Sequence, residues 1–256
     1  MNEESQTVIY SVEDSIACLT LNRPEKRNAL NDVMISGLKS ALRDAERNEA
    51  VRIVMIRGAG KDFCSGADLS ALRQISEASV AENVADATSL MELFLMIRQA
   101  RMPVIAAVQG RALAGGCGLA TACDIVLAAA SARFGYPEVK IGFVPAMVMA
   151  VLRRNVSEKR AFELVTRGFE IGAAEARQIG LINQVFSDET FEQEIDSYAR
   201  AFATLSPSAV ALSKTLLYQM DSMAFTEALQ AGVDINVIAR LTEECKKGIA
   251  RFLKRA

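Results

Sequence analysis

Ala112-Leu113-Ala114-Gly115-Gly116-Cys117-Gly118-Leu119 opens an almost wholly apolar run that extends to Ala130. A run of that length invites comparison with a membrane span. Asp124 lies inside it, however, and the glycines cluster at one end, as in a tight turn that enters a buried helix and strand. The pattern therefore predicts a soluble core segment. Upstream, residues 103–109 form a β-branched run that ends at Gly110, and downstream residues 125–129 form a further buried strand. Between two strands, the small residues of the turn leave backbone amides free at a helix N-terminus.

Phe63-Cys64-Ser65-Gly66-Ala67-Asp68-Leu69 repeats the arrangement one strand earlier, after the β-branched run 52–57 that closes at Gly58. A long helical segment, residues 79–98, separates the two units. Two such turns on adjacent strands can aim two N–H groups at one oxygen, and donors preorganised in that way stabilise an enolate or oxyanion. Strand, helix and strand in succession predict βαβ-like crossovers and a mostly parallel buried sheet.

Toward the N-terminus, residues 8–10 and 16–21 predict a hairpin with its turn at Glu13-Asp14. Leu30, Val33, Met34, Leu38 and Leu42 recur at helical spacing within 28–48, with Asn28 or Asn31 available as N-cap. Toward the C-terminus, a strand at 181–185 precedes helices at 189–205, 209–220, 224–240 and 243–254, with a break at Ser206-Pro207. No solenoid repeat or low-complexity linker divides the chain. The organisation expected is a core over 1–195 and a helical region over 196–256.

Composition removes several chemistries. The 256 residues include no histidine, which excludes Ser-His-Asp and Cys-His nucleophiles, imidazole bases and most catalytic zinc sites. Cysteines at 18, 64, 117, 123 and 245 are odd in number and lack CxxC spacing, so neither a disulfide framework nor a metal site is expected, and a reducing cytoplasm fits. A formal charge of -2 argues against nucleic acid as a partner. The N-terminal MNEESQTVIY lacks the features of a signal peptide. A basic run, Lys246, Lys247, Arg251, Lys254 and Arg255, ends the chain.

Five segments in order carry a resemblance. Leu21-Asn22-Arg23-Pro24-Glu25-Lys26-Arg27-Asn28-Ala29-Leu30-Asn31, the Phe63 turn and the Ala112 turn with Ala122-Cys123-Asp124-Ile125 are three of them. The others are Phe134-Gly135-Tyr136-Pro137-Glu138 with Gly142 and Pro145, and Ala173-Ala174-Glu175-Ala176 through Gly180-Leu181-Ile182. Together they resemble the crotonase (enoyl-CoA hydratase/isomerase) family over nearly the whole chain. The resemblance implies an α/β fold, a ββα spiral with two roughly perpendicular sheets and a C-terminal helical region used for trimer or hexamer assembly. It implies Ala67 and Gly115 as oxyanion donors and Glu138 as acid/base. It also implies a coenzyme A site along Lys26, Arg27, Ala29, Ala67, Asp68, Leu69 and Gly116, closed by Phe252 and Arg255 of a neighbouring subunit. Coenzyme A enters as part of an acyl-CoA substrate, and no separate cofactor is expected.

The chain departs from the family at one position. Relatives that hydrate enoyl thioesters commonly carry two glutamates, and this chain has Gly118 at the first position and Glu138 at the second. A lone carboxylate suits proton transfer between two carbons of one acyl chain. Residues 138–146 nevertheless resemble a bacterial subgroup usually regarded as hydratases, some acting on methylglutaconyl-type thioesters. Hydratase is the first expectation, isomerase the second, and a non-catalytic acyl-CoA-binding scaffold the third. Apolar Phe134, Val139, Ile141 and Phe143 are expected to raise the Glu138 pKa. Glu77, Glu82, Asp86 and Glu92 could supply a second carboxylate, although their spacing fits an exposed helix face. Met91, Leu93, Phe94 and Leu95 lie on the helix expected to face the acyl group.

Overall fold

A computed structural model describes residues 6–254, with the backbone alone at Leu69, Ser70 and Leu72. The first hairpin joins β1 (Val8–Glu13) to β2 (Ile16–Leu21), paired antiparallel from Val8–Leu21 to Glu13–Ile16. Its two loop residues, Asp14 and Ser15, sit at φ 48° and 67°. Two positive values in a two-residue loop match the twist of the flanking strands. The turn thus falls one residue later than the acidic pair suggested.

From β2 onward the large sheet is parallel, through β3 (Ile53–Gly58), β4 (Val104–Val108), β6 (Ile125–Ala129) and β9 (Gln184–Phe186), in the order β1-β2-β3-β4-β6-β9. A second sheet holds β5 (Arg111–Leu113), β7 (Arg133–Gly135) and β8 (Glu170–Gly172). Its strands have only three residues each. The last large-sheet strand begins at Gln184, not at Leu181, because Leu181 and Ile182 are buried in the approach to it.

Each passage places one strand in the large sheet and one in the small sheet before a helix returns the chain. The series β4, β5, α4 (Gly115–Ala122), β6 and β7 shows this directly. Isolated parallel bridges Leu30↔Ala67 and Cys64↔Ala112 extend the small sheet back to the earlier passages. The result is a spiral of ββα turns, and the glycine turns lie where the small sheet meets its helices.

Apolar periodicity explains the packing. Asn31 caps α1 (Asp32–Arg47), its side chain accepting from Met34 N–H at 2.9 Å. Asn28 has another task, described below. Ser79 and Glu82 close a capping box on α3 (Val80–Gln99). These helices bury Met34, Leu38, Leu42, Leu93 and Ile97 in one cluster with Val54, Ile56, Val104 and Ala106. The opposite face of the sheet, Ile53, Met55, Ile105 and Leu127, is covered by Phe191, Ile195 and Ala199 of α8 (Phe191–Ala203). Burial on both faces is why β4 reads as an unbroken apolar run. The expected boundary at residue 195 falls inside α8, a helix that packs on the sheet.

Shorter helices α2 (Leu69–Glu77), α5 (Ala146–Asn155), α6 (Glu158–Arg167) and α7 (Ala173–Gln178) fill the passages, and α9 (Pro207–Gln219), α10 (Phe225–Leu241) and α11 (Glu243–Leu253) end the described chain. Buried Lys214 pins α9 to the core. Its Nζ donates to Ile97 O at 2.9 Å, Met102 O at 3.0 Å and Asp124 Oδ2 at 2.7 Å. Among the described residues no helix is long and apolar enough to cross a membrane.

Candidate active site

The segment 21–31 braces the first glycine turn from below. Arg27 and Asn28 take φ values of 50° and 55°, which lets the chain double back after the short helical turn Pro24–Lys26. Asn28 is fully buried and fully engaged. Its Nδ2 donates to Ala59 O at 2.9 Å and Asp62 O at 2.7 Å, and its Oδ1 accepts from Arg23 N–H at 2.9 Å. Arg23 in turn donates to Ala29 O at 2.9 Å and to Asp68 Oδ2 at 2.6 Å. Buried Asp68 is thereby held inside the turn's frame, and Ser65 N–H donates to Arg27 O at 3.0 Å.

Backbone pairing decides where the amides of the first turn point. In the bridge between Leu30 and Ala67, Leu30 N–H donates to Gly66 O at 2.7 Å and Asp68 N–H donates to Leu30 O at 3.0 Å. When both neighbours of a parallel-bridged residue make the bonds, its own N–H turns to the other side. The Ala67 amide therefore faces away from Leu30 and has no acceptor among the described residues. On that other side lies β5, which Cys64 engages by donating to Arg111 O at 3.0 Å and accepting from Leu113 N–H at 2.9 Å.

Directly after β5, Gly115 opens α4, so its N–H is one of those a helix leaves without an internal acceptor. The two turns approach backbone to backbone. A Cβ at Gly116 would lie 2.4 Å from Cys64 O, and one at Gly66 would lie 3.0 Å from Leu113 O and 2.8 Å from Ala114 Cβ. Glycine at 66 and 116 is a packing requirement of this contact.

Glu138 lies in the short helical turn Pro137–Ile141 that follows β7. Ala114 N–H donates to Gly135 O at 2.9 Å, which ties the second glycine turn to the end of that strand. Burial, and to a lesser degree the charge of the Glu138 carboxylate, raise the pKa of the Cys117 thiol and the Tyr136 hydroxyl. Half-buried, Glu138 has an Oε2 that is shielded from solvent and has no hydrogen-bond partner among the described residues. Burial raises its pKa above the usual carboxylate value, opposed in part by its own backbone amide. The source of that burial differs from expectation. Val139, Ile141 and Phe143 are exposed, at 40%, 67% and 47%, around a left-handed Gly142 at φ 75°. Fully buried Phe134 and Tyr136, together with Cys117, belong to the core at this point.

Gly118 is spatially committed. A Cβ there would meet Val148 Cγ1 at 2.1 Å and Phe94 Cζ at 3.2 Å, so the room for any side chain at 118 is already filled by α5 and α3. Of the acids on the preceding helices, Glu82 closes the capping box and Glu92 pairs with Lys39 at 2.8 Å. Partial burial and Asp32 raise the Asp86 pKa, and Glu77 is exposed at the end of α2. Lys26 and Arg27 are exposed beside the first turn, Ala29 is buried, and Leu69 opens α2. Phe252 is 74% exposed on α11, and Arg255 lies outside the described residues. Leu93 and Phe94 are buried, whereas Met91 and Leu95 are largely exposed.

Sequence reasoning missed Arg23 and Asn28 as the brace of the first turn and Val148 as the residue that fills the space at 118, since most of the contacts that give them these tasks are with residues far along the chain. Among the described residues no three His, Cys, Asp or Glu side chains form a group that could hold a metal ion.

The sequence model described as enoyl-CoA hydratase/isomerase matches residues 11–256. A Thermus thermophilus protein is 39% identical over 94% of this chain and 95% of its own length. The 2,3-dehydroadipyl-CoA hydratase of Escherichia coli is 34% identical over 97% of this chain and 96% of its own. Among solved structures, the enoyl-CoA hydratase of Mycobacterium smegmatis superposes with a TM-score of 0.93 at 30% identity, covering 97% of this chain and 96% of that one.

Proposed function

Because the chain belongs to the enoyl-CoA hydratase/isomerase family, we propose that it adds water across the 2,3 double bond of an acyl-CoA thioester, with Glu138 as the acid/base and the Ala67 and Gly115 amides as oxyanion donors. The observation that carries this reading is the shielded, unpartnered Oε2 of Glu138 on the turn that follows β7, the strand whose end, Gly135 O, accepts from Ala114 N–H in the turn that presents the Gly115 amide.

The chemistry follows from the parts. A thioester oxygen that accepts from both amides draws electron density from the 2,3 double bond and leaves C3 open to attack. Water held by the Glu138 carboxylate adds its oxygen to C3 and passes one proton to the carboxylate. The same group then delivers that proton to C2 as the enolate collapses. One carboxylate serves as base and then as acid, and a pKa raised by burial suits the second step. Exposed Lys26 and Arg27 beside the first turn provide cations for the phosphates of coenzyme A.

A second reading is favoured by Gly118. With Val148 and Phe94 filling its side-chain space, the site is left with a single carboxylate, and one carboxylate suffices to move a proton between C4 and C2 of a 3-enoyl thioester. Purified protein and Glu138→Gln, each offered a 2-enoyl-CoA and a 3-enoyl-CoA, separate the two. Loss of the conjugated-thioester absorbance with gain of a water mass, absent in the variant, supports the hydratase. Isomerisation of the 3-enoyl substrate without water gain supports the isomerase, and silence on both with retained acyl-CoA binding leaves a scaffold.

The working unit proposed is a homotrimer or a hexamer built from trimers. Phe225, Leu229, Val233, Val237 and Leu241 recur every four residues along α10 and are all exposed, between 51% and 80%, an apolar stripe of a kind that soluble surfaces seldom leave uncovered. Five free cysteines, three of them buried, suit a reducing cytoplasm.

A further inference from the structure

Ala114 takes φ 50° and ψ −127°, a conformation that a residue bearing a Cβ adopts only when its surroundings hold it there. Three contacts do so. Its N–H donates to Gly135 O at 2.9 Å, and its carbonyl accepts from Gly118 N–H at 3.0 Å. Its methyl lies against Gly66, where an added Cβ would come within 2.8 Å of the Ala114 Cβ. Gly66 immediately precedes Ala67, and Gly115 immediately follows Ala114. One methyl group therefore stands between the residues that lead into the two free amides.

We infer that Ala114 is a positioning residue for the reaction: its methyl, seated on Gly66, sets the gap between the Ala67 and Gly115 amides, and its constrained backbone aims the second of them. The inference rests on the assignment of those amides as oxyanion donors. Glycine can adopt the same φ and ψ without strain, so Ala114→Gly keeps the fold. It removes the spacer, frees the backbone to sample other conformations and loosens donors whose worth depends on preorganisation. Ala114→Ser retains the Cβ and with it the spacing.

The test reads the thioester carbonyl directly. A carbonyl-labelled 2-enoyl-CoA bound to Glu138→Gln, where it persists unreacted, shows a lowered C=O stretching frequency in difference infrared spectra. Ala114→Gly in that background recovers part of the frequency, and Ala114→Ser does not. In the otherwise native enzyme, Ala114→Gly lowers kcat about tenfold, below the loss for removing a whole donor, with KM changed by less than about twofold, and melts no lower than the parent. An unchanged stretch and unchanged kcat in Ala114→Gly overturn the spacer role. No lowering in the Glu138→Gln parent itself removes the oxyanion assignment, and this inference falls with it.

Discussion

Glu138 and Gly118 make opposite demands on their surroundings. Because burial raises the pKa of the Glu138 carboxyl, the native protein holds that proton to higher pH than the unfolded chain does. Its contribution to stability is complete below the unfolded pKa and fades as pH rises through the folded one. Glu138→Gln removes that fading, so the melting temperature of the variant relative to the parent increases as pH rises above about 4, the ordinary glutamate value. A constant difference across that rise would contradict the shielded state of the carboxylate. Gly118 is constrained by shape. Alanine there gains about 1 kcal/mol of helix propensity, but its Cβ would stand 2.1 Å from a methyl of Val148, which is buried and stiff at χ1. Overpacking of this kind costs about 1–3 kcal/mol, and the clash wins. Gly118→Ala thus lowers stability in urea titrations, and Val148→Ala added to it recovers part of the loss, since the contact at 2.1 Å goes and only the milder ones, the Val148 Cβ at 3.1 Å and Phe94 Cζ at 3.2 Å, remain.

At the scale of elements, α9 is fastened by charge as well as by apolar contact. Lys214 and Asp124 pair at 2.7 Å with side chains 8% and 12% exposed, and Tyr218 donates to the other carboxylate oxygen at 2.5 Å. Lys214→Met leaves Asp124 buried without its cation and costs about 3–5 kcal/mol, measured as a fall in the urea midpoint at unchanged slope. A loss below about 1 kcal/mol would mean that water relieves the carboxylate. The same elements show what could be read from sequence. Helices α1, α3, α8 and α10 carry periodic apolar faces or cap residues and fall within a few residues of where the pattern places them. Three-residue strands β5, β7 and β8 are shorter than any window in which alternation can be recognised, so the second sheet was visible only through the family resemblance. Both glycine turns stood out by residue type, whereas Glu138 was reached only through the family resemblance. The Asn28 latch and the Ala114 spacer act through backbone geometry and distant partners, which one chain's spacing does not encode.

Across the whole molecule, the C-terminal helices have no core of their own, since none of the residues of α10 or α11 is buried. Assembly through the stripe on α10 predicts that Val233→Lys, at the middle of it, shifts the species seen by light scattering toward the monomer and lowers the melting temperature. An unaltered assembly would place the contact elsewhere. The spiral also has a consequence for thiol chemistry. Cys64 and Cys117 belong to the two glycine turns, are wholly buried, and have pKa values that burial pushes up to about 12. They are therefore un-ionised and out of reach in the native protein, while Cys18 and Cys245 are partly accessible. Alkylation of Cys64 and Cys117 can proceed only when the turns part, so their labelling rate, followed by peptide mass, is an internal clock for opening of the site, and one that a tightly held acyl-CoA should slow.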